Sequence, residues 1–354
     1  MASSLTFINP ALSTRNVGDL FIVDSLKKIL DFDPRTSIDL DPRQPITAAD
    51  IDKVNQTRAA IIAGTNLWYR RLPKPSRWNF TLEQLERIRV PIIPFGVGTT
   101  RHFGEDNGFE AETLDQIRCI HERCALAGAR DERTLEVLNE AGIRNVSMTG
   151  CPTLFRAMEP AWTLRARGPS RQVVVTVRAG QRHNARILAR RLRERGLEPV
   201  VAAQKPGDRF LRWPVPFVQR AVRTLFAFQV EPYLQLVRES LGAIGWRLHG
   251  NMLHLAHGNP ALVFSNCSRG ESFSRTFDLP TVRSPDGERL PGEAIEEMVD
   301  RLLDPATFQT FSERFARVRA QMVEFLRAND LPHHLSPAAG PSGHSLERDA
   351  DRVP

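Results

Sequence analysis

The stretch Ala243 to Asn266, AIGWRLHGNMLHLAHGNPALVFSN, decides the fold. Ala243 to Gly245 reads as a short strand, Arg247 and His249 stand in a polar turn, and small residues carry a helix through His257. Gly258-Asn259-Pro260 stops that helix, and Ala261 to Phe264 reads as a second buried strand. The right-handed crossover of such a β-turn-α-β unit makes its two strands parallel. Ligands gather at the carboxyl ends of those strands, beside a helix N-terminus whose free N–H groups and dipole favour an anion. Arg247 and His249 stand at that point, although charged residues on α/β loops are commonly no more than solvated.

Outward from this unit, the first half of the chain alternates strand and helix. Leu5 to Ile8 predicts a first strand. After a loop to Gly18, the spacing of Phe21, Ile22, Leu26, Ile29 and Leu30 predicts a helix over Asp19 to Leu30 with Asp19 as its N-cap. Capping alone explains that Asp; the functional alternative is that Gly18 lets backbone approach a ligand while Asp19 faces a cleft. Ala59 to Ala63 and Pro91 to Phe95 predict buried strands, the first ending at Gly64-Thr65-Asn66 and the second at Gly96-Val97-Gly98-Thr99-Thr100. The two glycines of the second turn either cradle an anion or only tighten the turn. Ala125 to Ala127 then leads through Arg130-Asp131 into a helix from Glu132 to Ala141, and Val146 to Met148 supplies another strand.

Periodicity fails from Ala157 to Arg171, which marks a linker between lobes at residues 1–160 and 171–330. The second series starts at Val173 to Val177, ends that strand at Arg178, and continues with a helix to Glu194 and a strand from Pro199 to Ala203. Residues 205–228 interleave Phe210, Trp213, Phe217, Phe226 and Phe228 with Arg209, Arg212, Arg220 and Arg223. That mixture suits peripheral contact with an anionic membrane surface, and equally a segment packed on the second lobe. Ser265 to Phe277 is polar and brings Arg269 near the same cleft end. Glu293 to Leu303 and Phe308 to Leu326 predict amphipathic helices, the second able to cross back to the first lobe. Residues 331–354 carry no pattern and are expected to be disordered.

Composition bounds the function. The 354 residues suffice for two domains, and 41% hydrophobic with 25% charged residues is ordinary for a globular protein. No apolar run approaches the ~18 residues of a membrane span, and MASSLTFINP lacks the form of a signal peptide, so a cytoplasmic enzyme is expected. Four scattered cysteines indicate neither a disulfide framework nor a zinc site, and they read as reduced and structural. No metal or cofactor is expected. The net charge of +7 suits an anionic ligand, and nothing resembles a nucleic-acid motif.

Asn16-Val17-Gly18-Asp19 opening an apolar helix, and Arg247-Leu248-His249 followed by a small-residue helix and a Gly-x-Pro stop, together resemble the two signatures of the polysaccharide pyruvyltransferase family. The Arg130-Asp131 element also resembles that family, whereas Gly150-Cys151-Pro152 stands where relatives often carry Asp-Pro, and Asn66 follows a loop with one glycine where relatives are glycine-rich. The resemblance, over residues 4 to 303, implies α/β architecture with two doubly wound, Rossmann-like lobes facing across a cleft, similar to GT-B glycosyltransferases. It also implies transfer of a pyruvyl group from phosphoenolpyruvate to two hydroxyls of a sugar or lipid-linked glycan acceptor, with a cyclic ketal and phosphate as products.

That chemistry fits the residues. Phosphoenolpyruvate carries two anionic ends suited to guanidinium forks, which Arg247 with Arg178 or Arg130 can supply. His249 is the candidate general acid and Asp19 a candidate base toward the acceptor. Asn16, Gly18, Asn66 and Gly98 complete the expected substrate-binding set. Two alternatives stay open: a nucleotide-sugar glycosyltransferase or epimerase of the same fold, and a non-catalytic glycan-binding member.

Overall fold

The computed structural model describes residues 4–74, 76–99, 108–166, 168–210, 223–226 and 229–336. The first lobe runs β1 (Leu5–Ile8), α1 (Val17–Ile29), β2 (Ile38–Leu40), α2 (Ala48–Val54), β3 (Ala59–Ala63), β4 (Asn66–Trp68), α3 (Leu82–Arg87), β5 (Ile92–Phe95), β6 (Gly98–Thr99), α4 (Ala111–His121), β7 (Ala127–Ala129), α5 (Glu132–Glu140) and β8 (Val146–Met148). The second runs β9 (Gln172–Val177), α6 (Arg182–Glu194), β10 (Glu198–Ala203), β11 (Arg223–Phe226), α7 (Val230–Glu239), β12 (Gly242–Gly245), α8 (Leu248–Ala256), β13 (Ala261–Ser265), α9 (Ser268–Phe277), β14 (Thr281–Arg283) and α10 (Gly292–Leu303), before α11 (Gln309–Ala328) closes the chain.

Each lobe is built on a parallel sheet. In the second, six strands lie in the order β11-β10-β9-β12-β13-β14, which in that lobe's own count is the 3-2-1-4-5-6 order of dinucleotide-binding folds. The chain reverses direction across the sheet between β9 and β12, so a crevice opens at their carboxyl ends. Uninterrupted apolar strands make this arrangement: Val173, Val174, Val175, Ala243 and Ile244 are all fully buried, as strands covered by helices on both faces must be. The first lobe has the parallel order β2-β1-β3-β5, extended through a Val97–Ala129 bridge to the β7–β8 pair. Its own reversal lies between β1 and β3.

The decisive unit folds as read, with β12 and β13 parallel around α8. Several expectations need correction. The first helix starts at Val17 with Asn16 as its N-cap, so Asp19 sits in the first turn. The helical pattern could not locate this end because Val17 is itself buried and Gly18 tolerates helical backbone. The strand expected at Ala125 to Ala127 lies two residues later, because Leu126 is only half-buried while Gly128 and Ala129 are covered. Gly98 and Thr99 do not stand in an open turn: they form β6 beside β4.

The tail also departs from expectation at its start. Leu331 and Leu335 are buried, His334 N–H donates to Ile29 O at 2.8 Å, and Asp31 N–H to Pro332 O at 2.9 Å, so residues 331–336 pack on the first lobe. Two leucines four apart suffice for that docking and are too few to register as periodicity. Residues 337–354 lie outside those described. So do Arg212, Arg220, Trp213, Phe217 and Phe228 of the segment considered for membrane contact; of its flanks, Arg223–Phe226 forms the edge strand β11, parallel to β10. Among the described residues no helix is long and apolar enough to cross a membrane.

The lobes are joined by more than the linker. α11 crosses back to the first lobe, where Phe325 meets Phe95 with ring centroids 5.0 Å apart and Asn329 donates to Leu126 O at 2.9 Å. Across the lobes, Arg133 N–H donates to Ser272 Oγ at 3.2 Å and Arg275 pairs with Glu136 at 2.8 Å.

Candidate active site

The crevice at the β9/β12 reversal is lined by Asn16, Arg178, Gln204, Lys205, Arg247, His249, Cys267 and Arg269. The fold brings each of them there for a local reason. Arg178 follows β9 directly, and Gln204 and Lys205 follow β10. Arg247 is the N-cap residue of α8, its N–H held by Thr176 Oγ1 at 3.3 Å. Trp246 anchors the turn by stacking on Phe264 at 4.9 Å and donating to Ser284 Oγ at 2.9 Å. Cys267 and Arg269 open α9 after β13.

Asn16 arrives from the other lobe. Val17 N–H donates to Gln204 O at 3.0 Å, so the N-terminus of α1 is fastened to the second lobe's loop. The two sequence signatures, some 230 residues apart, meet here. A Cβ placed on Gly18 would lie 3.0 Å from His249 Nδ1 and 3.4 Å from Asn16 Oδ1, so only glycine lets α1 and α8 approach this closely.

His249 is buried, and its Nε2 has no hydrogen-bond partner among the described residues. Its pKa is held well below the ordinary value, first by burial and then by the guanidinium charges of Arg130, Arg269 and Arg247. The free site therefore holds a neutral imidazole at pH 7.

The cations divide into two kinds. Arg247 Nε donates to Asp208 Oδ2 at 3.0 Å and Nη2 to the same oxygen at 2.6 Å, and Asp208 is fully buried. Asp208 also accepts backbone N–H bonds from Ala179 at 3.2 Å, Gln204 at 3.3 Å and Lys205 at 3.1 Å, so one carboxylate ties the ends of β9, β10 and β12 together. Arg178 is likewise forked onto Asp286, with Nη2 to Oδ2 at 2.6 Å. Among the described residues Lys205 and Arg269 have no carboxylate partner. Lys205 is pulled below its ordinary pKa by burial and then by the charge of Arg247. Arg269 Nε lies 3.2 Å from Cys267 Sγ. Burial alone would push the Cys267 thiol up; the charge and hydrogen bond of Arg269 outweigh it and leave the thiol below its ordinary value.

The remaining expected residues fall behind or beside the crevice. Asp19 is buried, accepts from Asn16 Nδ2 at 3.0 Å and has Arg43 Nη2 at 3.7 Å. Arg130, Asn66 and Gly98 form one buried cluster: Arg130 Nη2 donates to Asn66 Oδ1, its Nε faces Asp131 at 3.4 Å, and a Cβ on Gly98 would overlap the guanidinium. Arg130 reaches His249 through its charge, and its Nη1 has no partner among the described residues. Asp131 is committed to capping α5 at Thr134 N, 2.9 Å away. Among the described residues no group of His, Cys, Asp and Glu is placed to hold a metal ion.

Sequence reasoning missed Asp208, Lys205 and the cleft position of Cys267. Pro206-Gly207-Asp208 looks like any turn, and its partner Arg247 lies 39 residues away, so no local signal marks it. Arg269 was visible as a basic residue near the cleft end, without its thiol partner.

Two Rossmann-like lobes with a basic, histidine-bearing crevice between them define a GT-B-like protein. Solved structures of the same fold include S. aureus MnaA in complex with UDP (12% identity, TM-score 0.51, covering 93% of this chain and 98% of that one). UDP-GlcNAc 2-epimerase from Neisseria meningitidis bound to UDP-GlcNAc matches at 12% identity and TM-score 0.52, over 92% and 99% of the two chains. The Methanocaldococcus jannaschii UDP-GlcNAc 2-epimerase matches at 10% identity and TM-score 0.51, over 90% and 99%. No curated protein sequence matches the chain significantly. The chain belongs to the polysaccharide pyruvyl transferase family, whose family model matches residues 16–268. It is a transferase that moves a pyruvyl group to a polysaccharide, and the matched span begins at Asn16 and ends at the N-terminus of α9.

Proposed function

We propose that the donor is phosphoenolpyruvate, and that the enzyme joins its pyruvyl carbon to two hydroxyls of one sugar as a cyclic ketal, releasing phosphate. The observation that carries this reading is a buried, unpartnered imidazole, His249, ringed by guanidinium groups at a strand-order reversal. A donor with a phosphate and a carboxylate needs such a ring of positive charge, and the vinyl carbon needs a proton.

His249 is poised to deliver it conditionally. With the crevice free, burial and then the charges of three neighbouring cations keep the ring unprotonated. Seating a donor of two anionic ends cancels that repulsion and raises the imidazole's affinity for a proton, so the acid is loaded when the donor is present. Protonation of the methylene carbon gives a methyl group and an oxocarbenium-like centre, which one sugar hydroxyl attacks with loss of its proton. The C–O bond to phosphate then breaks, and the second hydroxyl closes the ring, its proton leaving with the phosphate. Donor plus diol thus balance to ketal plus phosphate. Asp19, at the first-lobe edge of the crevice, is the base toward the acceptor in this scheme. Arg247, held by Asp208 through Nε and Nη2, has no partner on Nη1 among the described residues and turns it to the donor, and Arg178 flanks it.

The test is release of inorganic phosphate from phosphoenolpyruvate that depends on an added glycan, run over a panel of lipid-linked and free acceptors. Phosphate release with an acceptor that gains a pyruvate ketal is the expected result. Binding of a nucleotide sugar in place of phosphoenolpyruvate removes this donor assignment.

A further inference from the structure

The crevice's charge is unevenly spent. Of its four described cations, Arg178 and Arg247 are each forked onto a carboxylate, Asp286 and Asp208. Among the described residues Arg269 makes no ion pair, and its one hydrogen bond goes from Nε to the Cys267 sulfur, leaving both Nη groups without a partner there. Among the described residues Lys205 likewise makes no ion pair, and its Nζ has no hydrogen-bond partner. A neutralised guanidinium gains less from a new anion than a bare one, because its carboxylate already supplies the opposing charge and occupies half of its donors. Arg269 also opens α9, a helix of ten residues whose N-terminus favours an anion. The neighbouring buried Nε2 of His249 lacks a partner. The unpaired positive charge therefore stands on the two flanks of the crevice, at the ends of β10 and β13, with the paired arginines of β9 and β12 between them.

Resting on the donor reading above, we infer that Arg269 and Lys205, which line the same crevice from its two flanks, form the seat for the donor's phosphate, while the two carboxylate-bound arginines between them orient the remainder. Arg247 is then a positioned contact of reduced charge, and Arg269 the dominant electrostatic grip. Cys267 is the built-in reporter of this seat, because an anion resting on Arg269 both covers the thiol and cancels the charge that favours its thiolate.

The inference is tested on the full chain by titration with phosphoenolpyruvate and, separately, inorganic phosphate, using wild type, Arg269→Gln, Arg269→Lys and Lys205→Gln, with circular dichroism verifying each fold. Arg269→Gln is expected to weaken both ligands about 10- to 100-fold, as loss of a charge-assisted contact does, and Arg269→Lys to recover part of that loss. Lys205→Gln should weaken both by about tenfold. In parallel, methylthiolation of Cys267 by methyl methanethiosulfonate, read by peptide mass spectrometry, should slow at least several-fold with saturating phosphoenolpyruvate while Cys119 is unaffected. Wild type that binds phosphoenolpyruvate while Arg269→Gln binds it as well overturns the seat and leaves the donor reading standing. Wild type that binds phosphate through Arg269 but ignores phosphoenolpyruvate upholds the seat and removes the donor. Cys267 reacting at the same rate with and without bound donor overturns the seat.

Discussion

The two walls of the crevice are built from opposite chemistry. The second lobe presents Arg178, Lys205, Arg247 and Arg269 from the ends of four neighbouring strands. The first lobe presents Asn16 and Gly18, keeps Asp19 tied to Asn16 and Arg43, and hides its arginine, Arg130, behind Asn66. Both lobes use the same device, a strand-order reversal with a helix N-terminus above it. They differ in what was placed there. A wall of cations selects an anion, while a wall of amide, glycine and one engaged carboxylate leaves room for hydroxyls. The difference divides the proposed labour: donor on the second lobe, acceptor on the first.

The largest test of that division compares two residues separated by one position. His249→Ala should lower turnover about 100- to 10,000-fold with a smaller change in donor affinity, as removal of a general acid does. Arg247→Lys should instead weaken donor binding by about 1 to 3 kcal/mol, because the ammonium cannot keep the fork onto Asp208. Calorimetry with phosphoenolpyruvate beside turnover on a working acceptor separates the two; near-normal turnover in His249→Ala takes it out of the chemistry.

A second test acts where the walls touch. Gly18→Ala puts a methyl 3.0 Å from His249 Nδ1, so the imidazole or α1 must give way by a few tenths of an ångström. Turnover should fall by up to about 100-fold through misplacement alone, with donor affinity little changed since the cations lie across the crevice. A parallel loss of donor affinity would show that the first lobe also grips the donor.

Much of this was legible in the sequence because parallel α/β strands announce themselves: Val173 to Val177 and Ala59 to Ala63 are runs with no polar residue to hide except Thr176. Arg247 and His249 were legible because strand ends are where such folds expose function. Asp208 was not, because its role exists only once β10 lies beside β9 and β9 beside β12, a relation of register rather than of spacing. The pairing of Arg247 with Asp208 was illegible for the same reason. Cys267 passed as structural because nothing in the sequence shows that Arg269, two residues on, folds its Nε back onto the sulfur. Nor could the pattern show that Gly98 serves Arg130, whose guanidinium fills the space a Cβ would take.

Acid should separate the lobes as well. Burial holds His254 down at about 3 and His121 at about 4, and His249 also lies well below its ordinary 6.5. These imidazoles are neutral when folded and take up protons on unfolding. Their contribution is fully present above the unfolded pKa near 6.5 and is lost as pH falls below it. Each such group adds a slope of about 1.4 kcal/mol per pH unit in that window. Two of the three stand on α8 and one on α4, so amide exchange at pH 5 should open α8 before α4. The reverse order would show that the second lobe's stability is not set by its histidines.

The smallest effect expected lies farthest from the crevice, where the chain end packs on the first lobe. Leu331 and Leu335 are buried, and Arg319 Nη2 donates to Ser336 O at 2.8 Å, so truncation after Asp330 exposes two leucine sites and strands a buried guanidinium. Removing residues 337–354, which carry no apolar pattern, should leave the melting temperature unchanged. Removing 331–354 should lower stability by about 3 kcal/mol, from ~1.5 kcal/mol or more per leucine, and thus the melting temperature by several degrees. Turnover at 25 °C should be the same in both truncations, because the docked segment touches Ile29 and Asp31 at the far end of α1 and leaves Asn16 and Gly18 in place. Loss of turnover in the longer truncation without loss of fold would mean that α1 transmits the state of its C-terminus to the crevice, and the first wall would no longer be a passive frame for the acceptor.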